Sequence, residues 1–273
     1  MMANPTKPRN TDSMSFWQHL DVLRGVLWRA IAVWLVFAVC FFIWMPDIFH
    51  GLILWPCRGD FPSYLVLDRI AALWPEMGMV SSEGFHVDLI NTELASQFFI
   101  HMSSACWLAF VAALPVILFL LWGFVRPALY PVERRRGAMA FAMGFVMFCI
   151  GVAIGYLLVF PLTVRFLADY QLSEAIPNII SISSYIDMFF TLILVMGLLF
   201  ELPLLAWMLG KIGLLSRRFF NRYRRHAVVV LLILAALVTP TGDPFTLMAV
   251  FIPVYAVWEL GALLVPKASG SDA

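Results

Sequence analysis

The amino-acid sequence predicts an all-α membrane protein with six transmembrane helices and both termini on the cytoplasmic side. Three observations carry this reading: the composition, the lengths of the apolar runs and the distribution of basic residues. Of 273 residues, 62% are hydrophobic and 13% charged, about half the ~25% charge of an ordinary soluble domain. Ten Trp and 24 Phe with a net charge of +1 leave too little polar surface for a water-soluble monomer and too much apolar sequence for disorder. Lipid is the expected solvent. The near balance of 18 basic and 17 acidic residues carries no nucleic-acid signal, so no nucleic-acid partner is expected.

A spanning helix needs about 20 mostly apolar residues, because ~30 Å of hydrocarbon is crossed at ~1.5 Å per residue. Four runs satisfy this outright: 26–45, 105–125, 137–160 and 188–209. Two shorter runs, 227–238 and 245–264, flank the turn-rich Thr239-Pro240-Thr241-Gly242-Asp243-Pro244 and read as short fifth and sixth helices. The fifth, with only 12 residues, covers ~18 Å, so it belongs to a buried hairpin or thins the local bilayer. Strands are excluded because lipid tolerates no open sheet edge and the apolar pattern does not alternate. The chain reads as one domain over 1–273: a polar segment over 1–25, the helices, and a long acidic first external loop over 46–97 that acts as a cap.

Orientation follows from Lys and Arg. Fifteen fall in segments on one side, among them Arg24, Arg126, Arg134–Arg136 and the cluster Arg217 to Arg225, whereas Arg58, Arg69 and Arg165 fall on the other. This positive-inside asymmetry places both termini in the cytoplasm. The first apolar run is too long and starts too late for a cleavable signal peptide.

Glu201 interrupts the fourth run close to mid-membrane. A carboxylate there costs several kcal/mol unless it is protonated or faces protein, water or a partner, which favours function over an internally satisfied polar bridge. Pro203 lacks the N–H that would bond the Leu199 carbonyl, so a kink is expected beside it. Glu133 precedes Arg134, Arg135 and Arg136. On pattern alone it fits an exposed ion pair with a neighbour or a bidentate acceptor for a guest guanidinium. Phe16, Leu20, Leu23 and Leu27 recur at helical spacing with Gln18, Asp21 and Arg24 off that stripe, and Ser15 with Gln18 has capping-box spacing. The segment is equally a membrane anchor or a docking surface. Asp243 fits an Asx-type turn before Pro244. The five His and four Cys are scattered without ligand spacing, so no metal, disulfide framework or cofactor is expected. No nucleophile elbow is present, and the chain is not expected to be an enzyme.

Five motifs in order carry a resemblance: His19-Leu20-Asp21-Val22-Leu23-Arg24; Trp122-Gly123-Phe124-Val125-Arg126-Pro127-Ala128-Leu129-Tyr130-Pro131-Val132-Glu133-Arg134-Arg135; Phe200-Glu201-Leu202-Pro203; Thr239-Pro240-Thr241-Gly242-Asp243-Pro244-Phe245; and Pro253-Val254-Tyr255-Ala256-Val257-Trp258-Glu259-Leu260-Gly261. Together they resemble the TatC family of twin-arginine protein translocase subunits over essentially the whole chain. The resemblance implies a glove-shaped, concave six-helix bundle in the bacterial inner membrane. Such a bundle receives folded precursors bearing twin-arginine signal peptides and moves them by the proton-motive force. It implies signal-peptide contacts by Glu133, Phe124, Arg24, His19, Asp21 and Leu23, and an intramembrane partner contact at Glu201 and Pro203. It further implies a periplasmic hairpin marked by Pro240 and Asp243. The implied partners are TatA- and TatB-like single-span subunits and further copies of the chain in a receptor complex. The pattern departs from the family at Val22, where the family has Glu; Asp21 stands one position earlier, ~100° around a helix. Ser103 replaces a Lys common in the family. The competing functional class is a proton-coupled small-molecule transporter using Glu201.

Overall fold

The structure is a computed structural model that describes residues 16–73, 85–126, 131–173, 178–211, 215–239 and 242–265. These residues are almost wholly helical. Helix α1 (Phe16–Ile48) continues through a π-helical turn (Phe49–Ile53) and a 3₁₀ turn (Trp55–Cys57). The outer loop then forms α2 (Pro62–Leu73) and the short strand β1 (Leu89–Ile90). Next come α3 (Ser96–Val125) and α4 (Pro131–Ile154), the latter passing through a second π turn (Gly155–Val159) into α5 (Phe160–Asp169). After β2 (Ile180–Ser181) follow α6 (Ile182–Leu199), α7 (Leu202–Lys211), α8 (Arg217–Val238) and α9 (Pro244–Leu264).

Among the described residues, five stretches are long and apolar enough to cross a membrane: Leu20–Cys57, Ser96–Phe124, Gly137–Asp169, Ile182–Lys211 and Pro244–Leu264. The run 227–238, expected as the fifth of six spans, is only the C-terminal half of α8, whose first half carries five arginines. Five rather than six stretches therefore meet that measure. The spans also extend past the apolar windows, because a helix ends where its hydrogen bonds end, not where hydropathy falls. Both termini of α6 show this capping logic at work. Ser181 accepts the Ser184 N–H at its start, and Pro203 ends the regular ladder at its other end.

Helix α6 lies at the centre. Tyr185, Ile186, Phe189, Leu192, Ile193, Met196 and Leu199 are all buried, as befits a helix apolar on every side. Its Phe189 meets Phe160 edge-to-face at a centroid separation of 5.0 Å, and Tyr185 meets the same ring at 5.2 Å. Helix α4 and the π turn that follows it approach α6 closely at Gly151, Gly155 and Gly197, while Gly144 of α4 faces Glu201 and Leu204 of α7; small residues let helix backbones touch where lipid supplies no hydrophobic drive. Helix α1 runs antiparallel to α3. The indole of Trp34 donates to the Cys106 carbonyl (3.1 Å), and His101 Nε2 donates to the Phe42 carbonyl (2.8 Å). The opposite faces of this pair expose Leu35, Val36, Val39, Ile43, Phe98 and Phe119, which is acceptable only in lipid.

The outer loop is fastened by hydroxyls. Irregular turns free backbone carbonyls that a straight helix would bond internally. The Tyr185 hydroxyl donates to Ile53 (2.6 Å) and that of Tyr156 to Leu52 (2.9 Å). The Tyr64 hydroxyl is shared between the carbonyls of Pro56 (2.9 Å) and Pro161 (3.0 Å). Ser63 donates to Leu157 within the second π turn. Burial pushes the Tyr64 phenol well up, so it stays a neutral donor. The Arg165 guanidinium stands over the rings of Tyr64 (5.5 Å) and Phe85 (5.9 Å). Strands β1 and β2 pair in parallel, Leu89 opposite Ile180, tying the loop to the start of α6.

Candidate functional site

Two regions hold the residues singled out in the sequence. The first is the arginine-rich end of the bundle. The antiparallel register of α1 and α3, fixed by the Trp34–Cys106 and Phe42–His101 bonds and carried back at ~1.5 Å per residue, sets residues 19–24 beside the last two turns of α3, which end at Val125. Asp21, Leu23 and Arg24 are exposed and Phe124 is half-buried. Among the described residues, neither Asp21 nor Arg24 is held in an ion pair. Trp122 packs on Phe141 of α4 at a centroid distance of 5.2 Å, so α3 and α4 are joined at this end. Helix α4 opens with Pro131, whose fixed φ and missing N–H suit a first helical position. Glu133 therefore stands in the first turn of α4, where the exposed backbone N–H groups favour a negative charge. His19 stands in the first turn of α1. The backbone thus brings His19, Asp21, Leu23, Arg24, Phe124 and Glu133 to one end of the molecule.

The second region lies inside the apolar belt. Between α6 and α7 the chain breaks at Phe200 and Glu201: the Glu201 N–H donates to Leu198 (3.1 Å) and its carbonyl accepts from Leu205 (3.0 Å). Pro203 offers no N–H to the Leu199 carbonyl, and the ladder is interrupted there. Pro203 is itself buried, next to Gly261 of α9, where an added Cβ would lie 3.3 Å from the Pro203 Cα. Glu201 is half-buried. Its carboxylate faces Gly144 of α4: a Cβ at that glycine would stand 3.1 Å from Oε2 and 3.6 Å from Oε1. Among the described residues no side chain or N–H donates to this carboxylate. Gly144 was not apparent from the sequence as part of this site. The periodic small residues at 144, 151 and 155 were the available signal.

At the opposite end, Asp243 caps α9 by accepting the Thr246 N–H at 2.7 Å. Gly242 precedes it at φ +62°, a left-handed conformation that glycine adopts without steric cost. Pro240 lies outside the described residues. Sequence reasoning also missed a link between α8 and α9: Arg224 donates to Glu259 (2.6 Å), which also accepts from the Tyr255 hydroxyl (2.8 Å). An Arg and a Glu on successive short helices were the only hint. Among the described residues no group of three His, Cys, Asp or Glu side chains converges as a metal site.

The family model for "Sec-independent protein translocase protein (TatC)" matches residues 18–253. A Sec-independent protein translocase protein TatC from Deinococcus radiodurans is 38% identical over 179 residues, spanning 65% of this chain and 66% of the relative. The protein of that name from Campylobacter jejuni is 31% identical over 250 residues, 91% of this chain and 92% of its own length. A crystal structure described as the twin arginine translocase receptor TatC in DDM superposes with a TM-score of 0.68 at 25% identity, covering 91% of this chain and 99% of that one.

Proposed function

Because the chain belongs to the TatC family of Sec-independent protein translocases and is a multi-pass membrane component of the twin-arginine translocase, we propose that it is the receptor for twin-arginine signal peptides and the membrane core on which the translocase assembles. The arginine-rich end faces the cytoplasm in this reading, supported by the fifteen basic residues on that side. Glu133 accepts the guest guanidinium pair, with Phe124 and the start of α1 (His19, Asp21, Leu23, Arg24) beside it. The surrounding arginines repel the same guest. Recognition is therefore short-range, since charges beyond about 10 Å at 0.1 M salt are largely screened.

Glu201 receives a polar group from a TatA- or TatB-like single-span helix, and Pro203 shapes the break that presents it. The observation that carries this reading is the half-buried carboxylate in the α6–α7 break with no donor among the described residues. A carboxylate in hydrocarbon costs several kcal/mol until it meets a partner or a proton. Proton-motive force drives the transport step, copies of the chain associate in the receptor complex, and the reading assigns no catalytic step to the subunit. The family assignment leaves the small-solute transporter alternative without support.

The test is site-specific crosslinking in membranes. Glu133→Arg should abolish crosslinks to a diarginine signal peptide. Glu201→Ala should keep them while losing crosslinks to a single-span partner at the level of residue 201. Normal signal-peptide binding by Glu133→Arg, or unchanged partner crosslinks in Glu201→Ala, would remove the respective role.

A further inference from the structure

Helix α8 has two faces of different chemistry. Phe220, Leu231 and Ala235 are buried, and Phe220 packs on Trp258 of α9 at a centroid distance of 5.2 Å. On the same inner side Arg224 is committed to Glu259. The outer face reads Arg218, Arg222, Arg225, Val229 and Ile233, residues that fall on one stripe at a period of 3.6. All five are exposed, Val229 by 55% and Ile233 by 64%. Among the described residues none of these three arginines makes an ion pair. The stripe is therefore apolar where the helix meets acyl chains and cationic immediately beyond.

The spacing matches a leaflet boundary. Arg225, Arg222 and Arg218 lie four, seven and eleven residues before Val229, ~6, ~10 and ~16 Å along the axis, so Arg225 stands within the headgroup layer of roughly 5 to 8 Å beside the hydrocarbon, Arg222 at its outer edge and Arg218 on its aqueous side. Phe219 and Tyr223 flank the arginines, exposed by 44% and 41%, with ring centroids 4.7 Å apart. Amphipathic aromatic rings settle at this depth. A row of guanidiniums that make no ion pair among the described residues, with a phenol beside it, complements a phosphodiester, as arginine complements phosphate generally.

We propose that Arg222 and Arg225 on the outward face of α8, with Phe219 and Tyr223 beside them and Arg218 adding positive charge from the aqueous side, hold the headgroup of an anionic phospholipid in the adjoining leaflet. This goes beyond the receptor role and does not depend on signal-peptide or partner contacts. Bound lipid anchors the charged half of α8 at the surface, which lets its short apolar half reach into the bilayer.

The test uses the purified full-length chain in neutral detergent, titrated with phosphatidylglycerol, phosphatidylcholine or inorganic phosphate while thermal unfolding is followed. Phosphatidylglycerol should raise the melting temperature, and the other two should not. Each arginine near an anionic surface is worth about 5-fold in affinity, so R218Q/R222Q/R225Q should bind phosphatidylglycerol roughly 100-fold more weakly. The charge-matched variant K7Q/R9Q/K267Q should stay near the wild type. Far-ultraviolet circular dichroism checks that both fold, and R222Q alone should show about 5-fold weaker binding if the triple variant does not. Equal losses in both triple variants would show only diffuse charge attraction and overturn the site. Unchanged affinity in the α8 variant, or an equal response to phosphatidylcholine or to inorganic phosphate, would overturn it too.

Discussion

Replacing Gly151 by Ala tests whether the α4–α6 contact is as close as it looks. A Cβ at this position would stand 2.5 Å from the Met196 carbonyl oxygen, 2.7 Å from the Phe200 Cβ and 2.9 Å from the Gly197 Cα. Two of these are backbone atoms and none is the end of a flexible side chain, so the helices must part by roughly 1 Å to restore ordinary contact distances of about 3.5 Å. A gap of that size forfeits a quarter to a half of the dispersion energy of the atoms it separates, and overpacking of this kind costs about 1–3 kcal/mol. Gly123 in α3 supplies the control, since nothing lies within 4 Å of an added Cβ there. Both changes gain about 0.5–1 kcal/mol from replacing a helical glycine, and this gain cancels in their difference. Unfolding of the two variants in mixed micelles, followed by tryptophan fluorescence, should therefore place Gly151→Ala about 1–3 kcal/mol below Gly123→Ala. Equal stability of the two would refute the claim that backbone contact at Gly151 sets the α4–α6 distance.

Gly144→Ala should leave stability near the wild type, because the tightest contact at 2.9 Å is the movable end of Leu204, yet the displaced Glu201 carboxylate should weaken crosslinks to a single-span partner; unaltered crosslinks would contradict the placement of Glu201. Tyr185→Phe leaves the buried Ile53 carbonyl without its donor and should cost about 1–3 kcal/mol, seen as earlier unfolding together with faster proteolysis of the outer loop. The raised Tyr64 phenol favours the neutral form in the folded state. Its contribution is complete below the ordinary tyrosine value of 10.0 and is lost as pH rises above it; Tyr64→Phe should flatten that alkaline decline in a denaturation series.

The helical membrane fold was legible because hydrophobic length reports directly on the bilayer, and the family resemblance rested on motifs that the comparisons bear out over most of the chain. Helix boundaries were less legible. Pro46, Pro115 and Pro253 all lie inside helices, since packing and local adjustments within a bundle satisfy the backbone groups that proline leaves free. The π turns at 49–53 and 155–159 left no trace in periodicity, because they are completed by hydroxyls from distant helices. Pairing of two-residue strands at 89–90 and 180–181 is likewise set by tertiary contact, not by local pattern. At the candidate site Glu201 was visible as a charge in an apolar run, whereas Gly144 and the Arg224–Glu259 link depended on which helices become neighbours.

The hydroxyls that hold the outer loop also impose an order on biosynthesis. Tyr185 follows its acceptor Ile53 by 132 positions, and Tyr156 follows Leu52 by 104. The first hairpin, α1 with α3, is complete before either phenol leaves the ribosome. The loop that joins α1 to α3 therefore waits with unfilled carbonyls until later segments arrive, and its closure records that the central helices have come into place.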